Sequence, residues 1–326
     1  MGTVAAVQCA DPAATQARVL TEAAFDDLDR QLSAWNPASV LSAVNAAAGT
    51  GTPVPISPDF ATVLSAALAA STATDGAFTP LIGPVMRAWG FNGADPRPSP
   101  PAPAELTALL TLSDFRTVTL TVSSASGGGH AATSVLLPLV GMKLDLGAIA
   151  KGYAVDLAHA RLLAAGHTNV LVDLGGNLRA LGEAAPGRGG WRTGVRNPFA
   201  ADTLIGSFLL SDGEATATSG NYERFVDIDG LRYAHIMDGR TGRPVTGMAG
   251  VTVIAPDAMT ADVLSTSLFV LGPQQGAALL TKYPGSEALW IPDTPARLTV
   301  IATPGFASRL TPVGKTPYTL TVIAIP

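Results

Sequence analysis

The chain has 326 residues, 47% of them apolar, a net charge of −5 and a single cysteine, Cys9. That is enough chain for a large core. It excludes an internal disulfide, shows no Lys/Arg run that would suit a nucleic-acid surface, and has no stretch near the roughly 20 consecutive apolar residues of a membrane span. Met1 leads into the first expected strand without the basic start and apolar segment of a secretory leader. The expectation is a cytoplasmic protein as the sequence stands, or a periplasmic, inner-membrane-associated one if a leader has been removed.

Thr3 to Gln8 reads as a strand. Asp11-Pro12 opens a long helix carrying Ala17, Leu20, Ala24, Leu28 and Leu32 at helical spacing, and Trp35-Asn36-Pro37 stops it. Helices follow from Ser39 to near Gly49 and from Ser57-Pro58 to Ser71. Asp75 to Pro80 is a turn, Ile82 to Phe91 brings Met86, Trp89 and Phe91 into a core, and Asp95 to Pro103 is a Pro-rich surface loop. Glu105 to Leu110 is expected as a helix, Thr117 to Val122 as a strand, and Ser123 to Ser134 as a glycine-rich loop.

Val135 to Leu146 reads as a strand leading into the stretch around which the chain is organised, Leu144 to Asp156. There the strand ends at Asp145, turns on Gly147, and opens a helix from Ala148 to about Ala165, with Gly166 as its C-cap. Strands are expected at Val170 to Leu174, Leu178 to Leu181, Arg192 to Val195, Leu204 to Leu210, Glu214 to Thr218, Phe225 to Ile228, Arg232 to Ile236 and Met248 to Ile254. Helices at Met259 to Leu271 and Gln274 to Tyr283 come next. Strands at Ala288 to Ile291, Leu298 to Ile301 and Tyr318 to Ile323 finish the chain. Helices flank strands without regular β-α-β alternation, so the class is α+β, a single domain over residues 1–326 with mixed or antiparallel sheets.

Five stretches carry groups suited to chemistry. A helix start offers unpaired N–H groups and a partial positive charge, and Lys151 there makes a phosphate site, the plainer reading being an ordinary strand-to-helix turn; the stretch matches neither the P-loop nor the GxGxxG pattern. Gly175 and Gly176, inside Asp173 to Arg179, form a hairpin turn or let backbone approach a ligand. Ala217 to Arg224 sets small hydroxyls beside Gly220. His235 stands at a strand end before a loop with Arg240 and Arg243, where imidazole is the usual proton acceptor near neutral pH. Asp262 and Thr266 are four apart and share a helix face, a hard-oxygen pair suited to Mg²⁺; the plainer reading makes Asp262 a complement to the helix dipole.

Together with Leu32 to Ser39, Gly76-Ala77-Phe78, Gly83-Pro84, Trp89-Gly90-Phe91 and His235 to Asp238 with Thr241 to Pro244, these stretches fall in an order that resembles the ApbE-type flavin transferases, the FAD:protein FMN transferase family. The resemblance covers about residues 1–272; the role of the strands within 288–326 stays open. It implies a single α+β ApbE-like domain that takes FAD as substrate, uses Mg²⁺, and transfers FMN to a Thr or Ser hydroxyl of a target protein with release of AMP. It further implies that Met1, Trp35, Ala77, Phe78, Thr79, Asp145, Lys151, His235 and Ile236 contact the dinucleotide. The carbonyl of Ala148 with Asp262 and Thr266 would hold Mg²⁺, and His235 would act as the base. Thr79, Asn177 and Asn221 stand where the family often has Asp. A Mg²⁺-dependent FAD pyrophosphatase and a non-catalytic FAD-binding protein are the alternatives. Asp212 to Thr218 looks like a segment that such transferases modify, but a strand is the plainer account.

Overall fold

The computed structural model describes residues 3–92, 97–122, 133–314 and 317–326. Met1 and most of the glycine-rich loop expected at Ser123 to Ser134 lie outside the described residues. The chain packs as two compact units, each drawn from separate segments. One holds Asp27–Ala150 and Arg224–Pro244; the other holds the chain up to Asp26, Lys151–Glu223 and Val245–Pro326.

The second unit is built on an eight-stranded sheet. Its spatial order is Ala5–Cys9, Val170–Leu174, Asn177–Leu181, Ala215–Gly220, Met248–Ala255, Glu287–Pro292, Thr299–Ala302 and Thr319–Val322. Neighbours are antiparallel except the last pair, which is parallel. Met248–Ala255 is buried at all eight positions, as a strand covered on both faces must be, which accounts for its unbroken apolar sequence. The helix Ala258–Leu280 packs on this strand and on Ala215–Gly220. A three-stranded sheet of Thr311–Pro312, Leu204–Leu210 and Trp191–Arg196 completes the unit, and Phe208 meets Phe306 in its core at 5.1 Å between ring centroids.

The first unit carries the helices Val40–Ala46, Pro58–Ala73, Gly83–Ala88 and Pro103–Thr111 with small antiparallel sheets. Ser39 and Ser57 cap the first two, accepting from Ser42 N and Phe60 N at 3.0 and 3.1 Å. Trp89 packs in a buried apolar cluster of this unit with Val85, Phe91, Leu106, Ile228 and Met237. Its indole N–H donates to Gly242 O at 2.8 Å, and its ring lies 5.0 Å from that of Tyr233.

The α+β expectation holds, with three local differences. Of the long strand expected at Val135 to Leu146, only Val135 and Leu136 are paired, in the strand Thr133–Leu136. Pro138 has no N–H to give a ladder, and the chain runs irregularly from there to the helix Ala150–Ala164, which starts two residues later than its sequence suggests. Gly147 is not among the positive-φ residues, so a left-handed turn is not what its lack of a side chain serves. The short helix Pro304–Arg309 carries no apolar repeat long enough to announce it. Helix Ala258–Leu280, by length and composition able to cross a membrane, is broken at Gly272 (φ 70°) just before Pro273. It is two shorter helices laid against a sheet, as the sequence expectation has it, and no other described helix passes that test.

Candidate active site

In the second unit, three polar groups of the glycine-turn helix and its neighbour converge on Asp262, whose carboxylate is 3% exposed at the residue level. Lys151 Nζ lies 3.1 and 3.4 Å from its two oxygens. The N–H of Gly152 donates to Oδ2 at 2.9 Å. A buried carboxylate without such partners would be costly; here an ammonium and a helix-start N–H face it. Gly152 makes the approach possible: a Cβ there would sit 2.1 Å from Ala258 O and 2.8 Å from Asp262 Cβ. One turn along, Ser265 Oγ donates to the Asp262 carbonyl at 2.9 Å, and Ser219 Oγ links Ser265 Oγ at 2.8 Å to Thr266 Oγ1 at 3.3 Å. Ser219 comes from the strand Ala215–Gly220, the stretch of small hydroxyls singled out in the sequence.

Asp156, further along the same helix, fixes where the Asp262 helix begins. Its two oxygens accept from Ala258 N and Met259 N, both at 2.8 Å, and Arg179 pairs with it at 2.7 Å. Burial pushes its carboxyl above the usual range, against the pull of Arg179. Asp257 supplies the helix's own cap, accepting from Thr260 N at 2.7 Å.

In the first unit, Asp145 is held at both ends of its carboxylate. Oδ1 accepts from Gly147 N and Oδ2 from Asn92 Nδ2, each at 2.9 Å, while its own N–H donates to Pro80 O at 2.7 Å. Asn45 clamps the preceding backbone, donating to Leu144 O at 2.9 Å and accepting from Leu144 N at 2.7 Å. Thus the irregular segment before the helix is pinned by side chains rather than by a ladder. Among the described residues no hydrogen bond reaches the Ala148 carbonyl.

The His235 ring is oriented by Arg224: its Nδ1 lies 3.1 Å from Arg224 O, and its backbone N–H donates to the same oxygen at 3.1 Å. A carbonyl only accepts, so Nδ1 carries a proton. The Arg224 guanidinium stands 5.7 Å from the Trp35 ring centroid, and Trp35 is 55% exposed. Ala77, Phe78, Thr79 and Ile236 are buried. The Thr79 hydroxyl donates to Ser113 O and accepts from Leu81 N, both at 3.2 Å, and Gly239 N closes on Ala77 O at 3.0 Å.

Each unit therefore gathers part of the expected set: Lys151, Asp262 and Thr266 in one; Trp35, Ala77, Phe78, Thr79, Asp145, Ala148, His235 and Ile236 in the other. Asn92 lies outside the stretches singled out in the sequence; Arg224, Ser219, Ser265 and Asp156 lie inside them but carried no expected role. Asn92 gave one signal, following Trp-Gly-Phe in a left-handed conformation (φ 58°) that Asn tolerates. At position 221 an Asp would face the Asp293 carboxylate, whereas Asn221 Nδ2 donates to Asp293 Oδ2 at 3.2 Å. Asn177 is buried with its amide oxygen unpartnered.

Solved structures place this architecture in a class. The chain superposes on the flavin transferase ApbE from Vibrio cholerae with a TM-score of 0.80 at 28% identity, over 95% of this chain and 96% of that one. The apo form of the flavinyl transferase ApbE from Pseudomonas stutzeri gives 0.77 at 28%, over 97% and 95%. The profile of the ApbE family matches residues 1–290, and the chain belongs to that family. Among curated relatives, the FAD:protein FMN transferase of Treponema pallidum is 38% identical over 87% of this chain and 80% of its own. That of Rhodobacter capsulatus is 33% identical over 96% of this chain and 57% of its own.

Proposed function

We propose that this chain is, like its curated relatives, an FAD:protein FMN transferase, and that it passes FMN from FAD to a Thr or Ser hydroxyl of a target protein with release of AMP. The observation that carries the reading is the buried Asp262 carboxylate faced by Lys151 and the Gly152 N–H, with the hydroxyls of Ser219, Ser265 and Thr266 one turn on. The donor set suits Mg²⁺: a carboxylate, a hydroxyl and, at Ala148, a carbonyl that accepts no hydrogen bond among the described residues are all hard oxygens. Asp262, Thr266 and Ala148 would hold the ion, which when bound neutralises phosphate charge and stabilises the departing AMP.

The remaining roles belong to the chain. Lys151 is the cation for the dinucleotide's phosphates at the helix start. Trp35, Ala77, Phe78, Thr79 and Ile236, with Asp145, bind the ends of FAD. His235, with its lone pair on Nε2, takes the proton of the acceptor hydroxyl. The hydroxyl oxygen then bonds to the FMN phosphorus, the bond from that phosphorus to the bridging oxygen breaks, and AMP leaves with the bridging oxygen. Incubation with FAD, Mg²⁺ and a Thr-bearing target, read by mass spectrometry, tests this. An FMN-sized gain on the target is expected. Free FMN and AMP without an adduct would make the protein a pyrophosphatase, and unchanged FAD would make it a binding protein.

A further inference from the structure

A second cluster, outside the group around Asp262, lies where the first strand meets the first helix. Cys9 ends the strand Ala5–Cys9, Asp11 follows it, and His167 comes from the turn after the helix Ala150–Ala164. One ligand atom from each of the three falls within 4.8 Å of the others. Cys9 is partly buried, and His167 is 4% exposed, with Nε2 buried and given no hydrogen bond among the described residues. Its Nδ1 stands 3.4 Å from Asp11 Oδ2, beyond the usual 2.7–3.2 Å of a hydrogen bond to nitrogen.

That spacing matches something else. Donors about 2.0–2.1 Å from a tetrahedral ion are ~3.3–3.4 Å from each other. The carboxylate is also held in a fixed orientation. Thr168 N and Asn169 N donate to Oδ2 at 2.9 and 3.1 Å, and Thr168 Oγ1 and Asn169 Nδ2 to Oδ1 at 3.2 and 3.3 Å. Such outer hydrogen bonds orient metal-binding carboxylates. If Nε2 carries the imidazole proton, the Nδ1 lone pair faces a carboxylate; a cation between the two removes that repulsion.

We propose that Cys9, Asp11 and His167 form a zinc site, three protein donors with water as the fourth. A thiolate, an imidazole and a carboxylate together favour Zn²⁺ over the hard cations. The ion clips the start of the chain to the segment that enters the sheet at Val170, so it acts on stability rather than on FMN transfer.

The test uses the full chain, dialysed against chelator and then titrated with Zn²⁺ alone or Co²⁺ alone. The wild type is expected to hold one more equivalent of Zn²⁺ than Cys9→Ser or His167→Gln, and to show a thiolate-to-Co²⁺ charge-transfer band that Cys9→Ser lacks. Cys9→Ser is nearly isosteric, so it keeps the test valid if His167→Gln fails to fold. Asp262→Ala should retain the band, which separates this site from the one around Asp262. Absence of the band in the wild type, or equal Zn²⁺ content in wild type and Cys9→Ser, would overturn the proposal.

Discussion

His235 drew notice because a histidine at a strand end, ahead of a loop rich in polar groups, is an uncommon combination in a chain with four His. What the sequence did not reveal is how its ring is held, since that depends on the backbone carbonyl of Arg224, eleven residues away. The same limit hides Asn92, whose partner Asp145 lies 53 positions on, and Ser219, 46 and 47 positions from the hydroxyls it links. If the Nε2 lone pair is the base, His235→Ala should lower the single-turnover rate of FMN transfer by about 10²- to 10⁴-fold. Wild-type rates in that variant would move the role to another residue. His159 gives a prediction about pH. Burial, aided by the Arg179 charge, lowers its pKa to about 4 from 6.5, and its Nε2 has no partner. The unfolded chain therefore binds a proton that the folded one does not between those values, so stability falls as pH drops from about 6.5 to 4. At about 1.36 kcal/mol per pH unit the loss approaches ~3 kcal/mol. Urea unfolding at pH 7 and pH 4.5 should show this slope, and His159→Phe should flatten it.

The helix after the glycine turn was legible from its flanks, with Lys151 inside its first turn and Gly166 just past its end. The segment before it was misread beyond Leu136, because its apolar residues look like strand while the backbone at Leu144 is held by the Asn45 side chain rather than by another strand. Nor does any local pattern say that this helix lies against Ala258–Leu280 closely enough to exclude a methyl group. That contact sets the position of Asp262. Gly152→Ala would place a Cβ 2.1 Å from a backbone oxygen, which no rotamer change relieves. Overpacking a core typically costs about 1–3 kcal/mol, and here backbone must move. The expected result is destabilisation at or above the top of that range in urea melts, with loss of transfer activity. A fully stable Gly152→Ala would mean that the two helices are not this close. A second consequence follows at Asp156, which holds the first two N–H groups of Ala258–Leu280. Asp156→Ala leaves both without that acceptor and takes from Arg179 its carboxylate partner, and should cost about 1–3 kcal/mol in urea melts.

For the whole molecule, the α+β class followed from what the sequence lacks, namely regular alternation of strand and helix. The order of strands did not follow, because pairing is non-local: Ala5–Cys9 lies beside Val170–Leu174, and the strand before Ala258–Leu280 is sandwiched between partners from both sides of it in sequence. Division into two units assembled from interleaved segments is equally hidden, since no linker composition marks it. The ligand scheme can be tested on the folding of the unit that carries Lys151, Asp262 and Thr266. A ligand that binds only the folded form stabilises it by RT ln(1 + [L]/Kd), about 2.7 kcal/mol at a hundredfold excess over Kd. Calorimetry of the wild type should show its transition rising when FAD and Mg²⁺ are added together. Asp262→Asn keeps the side chain's size and a hydrogen-bond acceptor for Gly152 N, so the variant should fold. It removes the charge that would hold Mg²⁺ and leaves Lys151 facing a neutral amide. Its transition should be lower without ligands and should gain much less from FAD with Mg²⁺ than the wild type gains. FAD given with chelator should then affect the two proteins alike, because the difference between them is assigned to the cation. An equal rise with Mg²⁺ in both would remove Asp262 from the metal site while leaving the flavin site in place.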